Sequence, residues 1–137
     1  MNTIINDFKS VYETMDASNI RIVETIYDDN ITFIDPFHEI HGLEKLTEYF
    51  TELYKNVESC QFEFGDIYAN DSSAMILWTM VFRHRRFRKR TINVPGSTQI
   101  CFNNRIYFHR DFFDAGQMVY ENIPLVGHFI KYIKRKV

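Results

Sequence analysis

From residue 59 onward, apolar and polar residues alternate with a period of two, and no other feature of the sequence constrains the fold as strongly. Successive side chains of a strand point to opposite faces, so each alternating segment predicts a β-strand with one face in the core. Turn-forming residues at 70–73 and 103–104 predict tight connections between antiparallel neighbours. The predicted strands are residues 60–69, 74–86, 91–102 and 105–113.

The first part of the chain has a helical period instead. Residues 31–35 are an exception, because they alternate like a short strand that ends before Pro36. Helices followed by a run of antiparallel strands predict an α+β fold, in which a curved antiparallel sheet wraps around N-terminal helices. We expect a single domain over residues 1–137. Three amphipathic helices are predicted: one at residues 3–16, a short one that Ser18 or Asn19 caps and that carries Ile22 to Tyr27, and one from about Leu43 whose apolar face reaches Val57.

The charge of the chain is divided between its two parts. Residues 1–82 carry 4 basic and 15 acidic side chains, a net −11, and residues 83–137 carry 12 basic and 3 acidic, a net +9, which together give −2. Opposite signs favour contact between the two parts or with a second copy, so we expect a homodimer. The aromatic share of 16% exceeds what an ordinary core needs and indicates a lined interior.

The sequence disfavours several classes of function. Cys60 and Cys101 cannot form a disulfide framework or a metal knuckle, and the spacing of His38 and His41 is too loose for a metal site. The N-terminus lacks the basic start and apolar run of a signal peptide, and no apolar stretch approaches the roughly 18 residues of a membrane span. We expect a cytoplasmic protein that needs no metal or cofactor and does not act at a membrane.

The basic stretch at residues 83–90 permits two interpretations. It could bind nucleic acid, but Phe87 is its only aromatic residue for stacking on bases. A solvated hairpin tip, whose charge balances the acidic helices, is the preferred interpretation, and we expect no nucleic-acid partner. A predicted C-terminal helix at 129–136 is expected to pack on the domain rather than lie on an anionic membrane.

The last predicted strand carries the first candidate site residues. His109 and Asp111 lie in mid-strand on one face, together with Tyr107 and Phe113. Both faces of the strand are apolar at their ends, which predicts a central strand covered on both sides. Unpaired burial of a histidine or an aspartate costs several kcal/mol, so the pair belongs either to a satisfied structural network or to a functional site.

Asp35 is ambiguous in the same way. As the last residue of a strand before Pro36, it could hydrogen bond to its own backbone in a turn. Alternatively, its carboxyl group lies where the sheet opens into a cavity, and apolar neighbours allow it to exchange protons near neutral pH. Trp78 and Met80 share a strand face and predict either ordinary core packing or the wall of a pocket.

Three segments carry a resemblance to a known family. They are Tyr-Asp-Asp-Asn-Ile-Thr-Phe-Ile-Asp-Pro-Phe at 27–37, Gly-Ser-Thr-Gln-Ile-Cys-Phe at 96–102 and His-Arg-Asp-Phe-Phe-Asp at 109–114. The chain resembles the nuclear transport factor 2-like superfamily over essentially its whole length. That superfamily includes ketosteroid isomerases, limonene-epoxide hydrolases, scytalone dehydratases and SnoaL-like polyketide cyclases. The resemblance implies a cone-shaped fold with a deep apolar pocket between sheet and helices, usually in a dimer.

The resemblance also implies roles for individual residues. Asp35 falls where ketosteroid isomerases have their proton-abstracting aspartate, and Tyr12 falls near their oxyanion tyrosine. Their second oxyanion donor, an aspartate, falls at about Thr98. Asp111 falls at a catalytic acid of limonene-epoxide hydrolases, whose Tyr-x-Asn pair corresponds to Phe33 and Asp35, while their Arg-x-Asp pair has no counterpart here.

We therefore expect a small hydrophobic molecule in an apolar pocket. Asp111 would act as the general acid/base, and His109 would tune its charge or relay the proton. Asp35 would serve as a second carboxylate or water anchor, and Tyr12 would stabilise an oxyanion. Two function classes stay open: a proton-transfer isomerase, cyclase or hydrolase, and a non-catalytic ligand-binding or dimer-interaction module with a regulatory role. The predicted pocket-lining residues are Phe33, Phe37, Tyr49, Phe50, Trp78, Met80 and Phe113.

Overall fold

Helices cover one face of a six-stranded sheet in the computed structural model, which describes residues 3–85, 91–118 and 135. The helical elements are α1 (Thr3–Thr14), a 3₁₀ helix (Ile20–Thr25), α2 (Leu43–Tyr54) and α3 (Ala115–Met118). The strands are β1 (Tyr27–Ile34), β2 (Glu39–His41), β3 (Val57–Ala69), β4 (Ser73–His84), β5 (Thr91–Phe102) and β6 (Ile106–Phe113). The predicted α+β class is confirmed. Residues 86–90 of the basic stretch and, apart from residue 135, the predicted helix at 129–136 lie outside the described residues.

The sheet has the strand order β2-β1-β6-β5-β4-β3, so β6 is an interior strand, as predicted. Strands β3 to β6 pair with their neighbours in antiparallel fashion, but β1 and β6 run parallel. The sheet is therefore mixed, and the prediction of an entirely antiparallel sheet is wrong for this pair. A short turn between two strands imposes antiparallel pairing. Strands β1 and β6 are instead separated along the chain by β2, α2, β3, β4 and β5, and so long a connection leaves their relative direction free.

A left-handed glycine marks the start of α2. The sequence predicts a loop between β1 and α2, and the structure has the short strand β2 there, antiparallel to β1. Helix α2 begins at Leu43, as predicted. Gly42, which precedes it, has φ 96°, a conformation that residues with a Cβ rarely adopt. The glycine lets the chain turn from β2 directly into α2, so that the helix packs over β1.

The core lies between the helices and the inner face of the sheet, which is the face that α1 and α2 cover. Helix α1 packs on β3, and α2 packs on β1 and the 3₁₀ helix. No helix within the described ranges is long and apolar enough to cross a membrane. Full burial of one large apolar side chain contributes about 1.5–3 kcal/mol, so this layer holds the helices in place. Buried members include Ile5, Phe8, Tyr27, Ile31, Leu46, Ile76, Val94, Ile100 and Ile106.

Strand β6 departs from strict alternation near its start. Its register with β5 shifts there, so that Ile106 is fully buried while Tyr107 is 44% exposed. The prediction that Tyr107 shares a face with His109 is wrong, because a bulge inserts an extra residue into the strand. Phe112 is 41% exposed on the outer face. In the described part of a single chain, β6 is therefore covered on its inner face alone and not on both faces as predicted.

Candidate active site

His109 and Asp111 lie on the inner face of β6, where they meet side chains from β5 and β4. His109 is 1% exposed, and the Asp111 side chain is 19% exposed. His109 Nε2 lies 2.7 Å from Asp111 Oδ1, and the Thr98 hydroxyl donates to the same oxygen at 2.6 Å. The indole N–H of Trp78 donates to Thr98 Oγ1 at 2.8 Å. Two protein groups from neighbouring strands therefore converge on Oδ1.

The second carboxyl oxygen of Asp111 is arranged differently. Within residues 3–85 and 91–118, no group hydrogen bonds to Oδ2, although Oδ1 has two partners. The Asp111 side chain is not fully buried, since 19% of it is exposed. A carboxylate oxygen can accept a proton or a hydrogen bond, so the geometry suits exchange of a proton at Oδ2.

Beyond His109 the network continues into the core through two phenols. His109 Nδ1 lies 2.7 Å from the Tyr27 hydroxyl, which lies 2.6 Å from the Tyr12 hydroxyl. Burial is the largest cause that raises the pKa of Tyr12 and the pKa of Tyr27 well above the usual phenol value. Both phenols therefore stay protonated near neutral pH and act only as hydrogen-bonding groups.

One arrangement of protons satisfies every member of this chain. If Asp111 is ionised, the Nε2–H of neutral His109 donates to Oδ1, and Nδ1 accepts from the Tyr27 hydroxyl. The Tyr27 oxygen then accepts from Tyr12. A hydrogen on Nδ1 would instead be donated to Tyr27 and would leave one phenol proton, that of Tyr27 or of Tyr12, without an acceptor in the described part of the chain. The network therefore fits the tautomer of His109 that carries its hydrogen on Nε2.

Aromatic rings enclose the imidazole of His109. The Phe33 ring stacks on it with a centroid distance of 4.4 Å and an angle of 29° between the planes. The Phe8 ring lies 5.8 Å away. These rings exclude water from His109 and fix its orientation, so the Asp111 carboxyl group rests on a rigid support.

Asp35 belongs to a second network at the end of β1. Its Oδ1 accepts the backbone N–H groups of Phe37 and His38, both at 2.8 Å. Its Oδ2 accepts the Tyr49 hydroxyl at 2.5 Å, and the side chain is 6% exposed. Three donors therefore occupy the carboxylate, and they tie the turn after β1 to α2, in agreement with the turn interpretation. The hydrogen bonds among the described residues do not link Asp35 to Asp111.

Tyr49 connects the surroundings of the two carboxylates. Its pKa is raised by burial first, then by the hydrogen bond to Asp35 and by the negative charges of Asp35 and Asp111. The register of β1 with β6 pairs Ile34 with Arg110, so the residues that follow them, Asp35 and Asp111, lie at adjacent positions and the two networks adjoin. The structure thus brings Asp111, His109 and Tyr12 into one hydrogen-bonded chain and holds Asp35 beside it.

The predicted pocket residues fall into two groups. Those in the core are Phe33, Phe50, Trp78 and Met80, all buried. Tyr49 and Phe113 are half-buried, and Phe37 is 39% exposed. The Phe113 ring lies 6.2 Å from Trp78 and 6.1 Å from Phe37, and we call these three residues the aromatic rim. The rim runs from the surface to the Trp78 indole, which holds Thr98; that these residues line a ligand pocket stays a prediction.

A groove of about 950 Å³ lies elsewhere, along α2 and the start of β1. Two arginines of its lining, Arg21 and Arg105, both contact Glu24. None of its lining residues belongs to the network of Asp111 or to that of Asp35. This polar groove is therefore not the apolar pocket that the sequence predicts. Its acidic lining residues are Glu24, Asp28, Asp29, Glu44, Glu48 and Glu52.

Two members of the network, Tyr27 and Thr98, are not among the predicted catalytic or pocket residues. Tyr27 is predicted from the sequence to lie in a helix, yet it opens β1 and pairs with Ile106. Its contact with His109 depends on the parallel pairing of β1 with β6, which no local pattern encodes. Thr98 does carry a signal, because it is a polar residue on the inner face of β5, where its neighbour Ile100 is fully buried.

Residues 8–109 match the family model of the SnoaL-like domain, which is well over half of the chain. The chain belongs to the SnoaL-like domain family. This family lies in the nuclear transport factor 2-like superfamily, so the resemblance inferred from the sequence is confirmed. No protein of curated function matches the sequence.

Solved structures share the fold of this SnoaL-like protein at low sequence identity. An NTF2-like protein of unknown function from Burkholderia pseudomallei is 13% identical, with a TM-score of 0.76 over 87% of this chain and 96% of its own. A Catenulispora acidiphila protein with a ketosteroid isomerase-like fold, in complex with trimethylamine, is 11% identical, with a TM-score of 0.72 over 83% and 87%. An LEH-like epoxide hydrolase of M. tuberculosis is 14% identical, with a TM-score of 0.70 over 96% and 94%. These likenesses concern the fold alone.

Proposed function

We propose that this SnoaL-like protein is a proton-transfer enzyme of the isomerase, cyclase or hydrolase type, with Asp111 as its general acid/base. The observation that carries the proposal is the unequal use of the two Asp111 oxygens. Thr98 and His109 hold Oδ1, and Oδ2 has no partner among the described residues. A carboxyl group that is held through one oxygen, with no described hydrogen-bond partner at the other, can take up a proton and return it without a change in protein structure.

A small, largely apolar substrate is supported by the aromatic rim beside Asp111. Trp78 contacts the Thr98 hydroxyl that binds the carboxylate, and the Phe113 ring lies 6.2 Å from the Trp78 ring. Apolar walls with a few placed polar groups are typical of small-molecule sites, and the exclusion of water strengthens the electrostatic effect of a carboxylate on a reacting atom.

The inner residues of the network have a supporting role in this proposal. His109 orients Asp111, and Tyr27 and Tyr12 orient His109 through its other nitrogen. Because the Tyr12 hydroxyl is engaged with Tyr27 in the core, we assign Tyr12 to this orientation rather than to an oxyanion of the substrate. Asp35 shapes the loop beside the site, since three donors already occupy its carboxylate.

The test combines a substrate panel with Asp111→Asn. The panel contains a β,γ-unsaturated ketone, an epoxide and a polyketide-type ester, with product formation and uptake of solvent deuterium followed by mass spectrometry. Asparagine preserves the shape of Asp111 but cannot exchange the proton. Turnover of the accepted compound should therefore fall by about 10²-fold or more, with the circular dichroism spectrum unchanged.

Asp71→Asn provides the matched control, because Asp71 lies exposed in the turn between β3 and β4 and loses the same charge. This variant should turn over the substrate as the wild type does. Full activity of Asp111→Asn would refute the proposal. A co-purified ligand that the wild type and Asp111→Asn bind alike and never convert would instead support a non-catalytic binding module.

A further inference from the structure

We infer that Thr98 and Trp78 are positioning residues that keep Oδ1 of Asp111 as a permanent hydrogen-bond acceptor and so confine the exchangeable proton of this carboxyl group to Oδ2. The inference deepens the proposed function, on which its consequence for turnover rests. Its structural part concerns the direction of two hydrogen bonds, which can be tested without any substrate.

The direction of both bonds follows from the chemistry of the donors. An indole N–H donates and never accepts, so the 2.8 Å bond from Trp78 brings a hydrogen to Thr98 Oγ1. The threonine hydroxyl has one hydrogen of its own, which it donates to Asp111 Oδ1 over 2.6 Å. A proton on Oδ1 that pointed at Thr98 would displace that hydrogen and leave it unpaired in a site where Thr98 is 1% exposed.

His109 adds to the difference between the two carboxyl oxygens of Asp111, because it also contacts Oδ1. Its Nε2 lies 2.7 Å from Oδ1, so donors from β5 and β6 converge on one oxygen of Asp111. A proton on Oδ1 would have to be donated to Nε2, and Nδ1–H would then donate to Tyr27 and leave one phenol proton without an acceptor among the described residues. A proton on Oδ2 changes none of the bonds that the described residues make. Hydrogen bonds to the charged form of a carboxyl group also favour that form.

The register of the sheet explains how these side chains meet. Trp78 stands opposite Gly96 across β4 and β5, and Thr98 stands opposite Asp111 across β5 and β6. Gly96 and Thr98 are two positions apart and therefore share a face. A side-chain carbon at Gly96 would lie 2.4 Å from the Trp78 ring, so the glycine leaves the space in which the indole reaches along β5 to Thr98.

The charge of Asp111 acts on four phenols of the inner face, and none of them supplies a positive charge. They are Tyr12 of α1, Tyr27 of β1, and Tyr49 and Tyr54 of α2. Burial raises the pKa of each of these phenols, so they are uncharged near neutral pH. Asp35, the other carboxyl group beside the site, is occupied by three donors of its own.

The test follows the carboxyl carbon of Asp111 by ¹³C NMR as the pH is varied. Thr98→Val removes the hydroxyl and keeps the shape, so the titration midpoint should rise by about one pH unit, as expected for the loss of one hydrogen bond to the charged form. Trp78→Phe removes the N–H and frees the Thr98 hydroxyl to accept, so the midpoint should rise by a smaller amount. Thr98→Ser keeps the hydroxyl and is the matched control, with the wild-type midpoint.

Wild-type midpoints in both Thr98→Val and Trp78→Phe would overturn the inference; should Thr98→Val fail to fold, Trp78→Phe alone decides. Because no substrate is needed, the result is separate from the proposed function. Shifted midpoints together with full turnover by Asp111→Asn would keep the positioning role and reject the enzyme. Unshifted midpoints together with loss of turnover in Asp111→Asn would keep the enzyme and reject the positioning role.

Discussion

At the scale of single residues, the site depends on one imidazole whose two nitrogens are both in use. His109 meets Tyr27 at Nδ1 and Asp111 at Nε2, and it is 1% exposed. A buried histidine with both nitrogens satisfied has one favourable orientation, and removal of either partner leaves a buried polar atom without water to replace it. Tyr27 therefore stabilises the fold and the position of Asp111 together.

Replacement of Tyr27 by Phe tests this dependence. The ring packing is kept, while His109 Nδ1 and the Tyr12 hydroxyl lose their partner, so we expect the free energy of unfolding to fall by about 1–3 kcal/mol in urea denaturation. Tyr68→Phe is the matched control, because Tyr68 is 63% exposed and its replacement should change the free energy of unfolding by less than about 0.5 kcal/mol. Equal stabilities of the two variants would contradict the role of Tyr27.

At the scale of elements, the pairing of β4 with β5 determines where the Trp78 indole lies. A Cβ at Gly96 would lie 2.4 Å from Cη2 of Trp78 and 2.8 Å from the carbonyl oxygen of Phe112, closer than real Cβ contacts come. Gly65 in β3 offers a contrast, since the nearest atom to a Cβ there is 3.7 Å away. A Cβ therefore fits at Gly65 but not at Gly96.

We expect Gly96→Ala to lower the free energy of unfolding by about 1–3 kcal/mol through overpacking, measured by urea denaturation. Trp78 is the only tryptophan of the chain, so its fluorescence reports on the displaced indole alone. Gly65→Ala should keep the wild-type stability within about 0.5 kcal/mol, together with the wild-type fluorescence. A Gly96→Ala protein that matches the wild type in both measurements would show that the indole does not lie over Gly96.

The elements that were predictable are those whose signal is local. Strand β5 spans the predicted residues 91–102, and α2 begins at the predicted Leu43, because alternation and helical spacing are properties of neighbouring residues. Asp35 had two local interpretations, and its three donors agree with the turn. The bulge at Tyr107 depends on one inserted residue, and the role of Tyr27 depends on a partner strand far along the chain, so neither followed from a local pattern.

At the scale of the whole molecule, the outer face of the sheet carries two large apolar side chains that are exposed. They are Leu77 of β4, which is 39% exposed, and Phe112 of β6, which is 41% exposed. Both stand beside Ser97 of β5, which separates them. Large apolar side chains exposed on one face favour association, and the opposite charges of the two parts of the chain favour a two-fold arrangement. The homodimer is therefore our proposal for the assembly.

The proposal predicts a dimer in sedimentation at micromolar concentration and moderate salt. The double variant Leu77→Glu/Phe112→Glu should sediment as a folded monomer, because carboxylates would be buried unpaired in the interface. Ser10→Glu, on the exposed side of α1 away from the outer face, should leave the dimer intact. A monomeric wild type, or a double variant that remains dimeric, would exclude this face as the interface.

The parallel pairing of β1 with β6 also determines when the site comes into existence. Tyr27 and His109 are 82 positions apart in the sequence, so their contact requires the longest loop closure of the network. During synthesis on the ribosome, the edge of β1 that pairs with β6 stays unpaired until β6 has left the exit tunnel. Contacts of such high sequence separation form late in folding. We expect a nascent chain that ends before β6 to have neither the complete six-stranded sheet nor the contact between Tyr27 and His109, so that pairing of β1 with β6 also completes the hydrogen-bonded network.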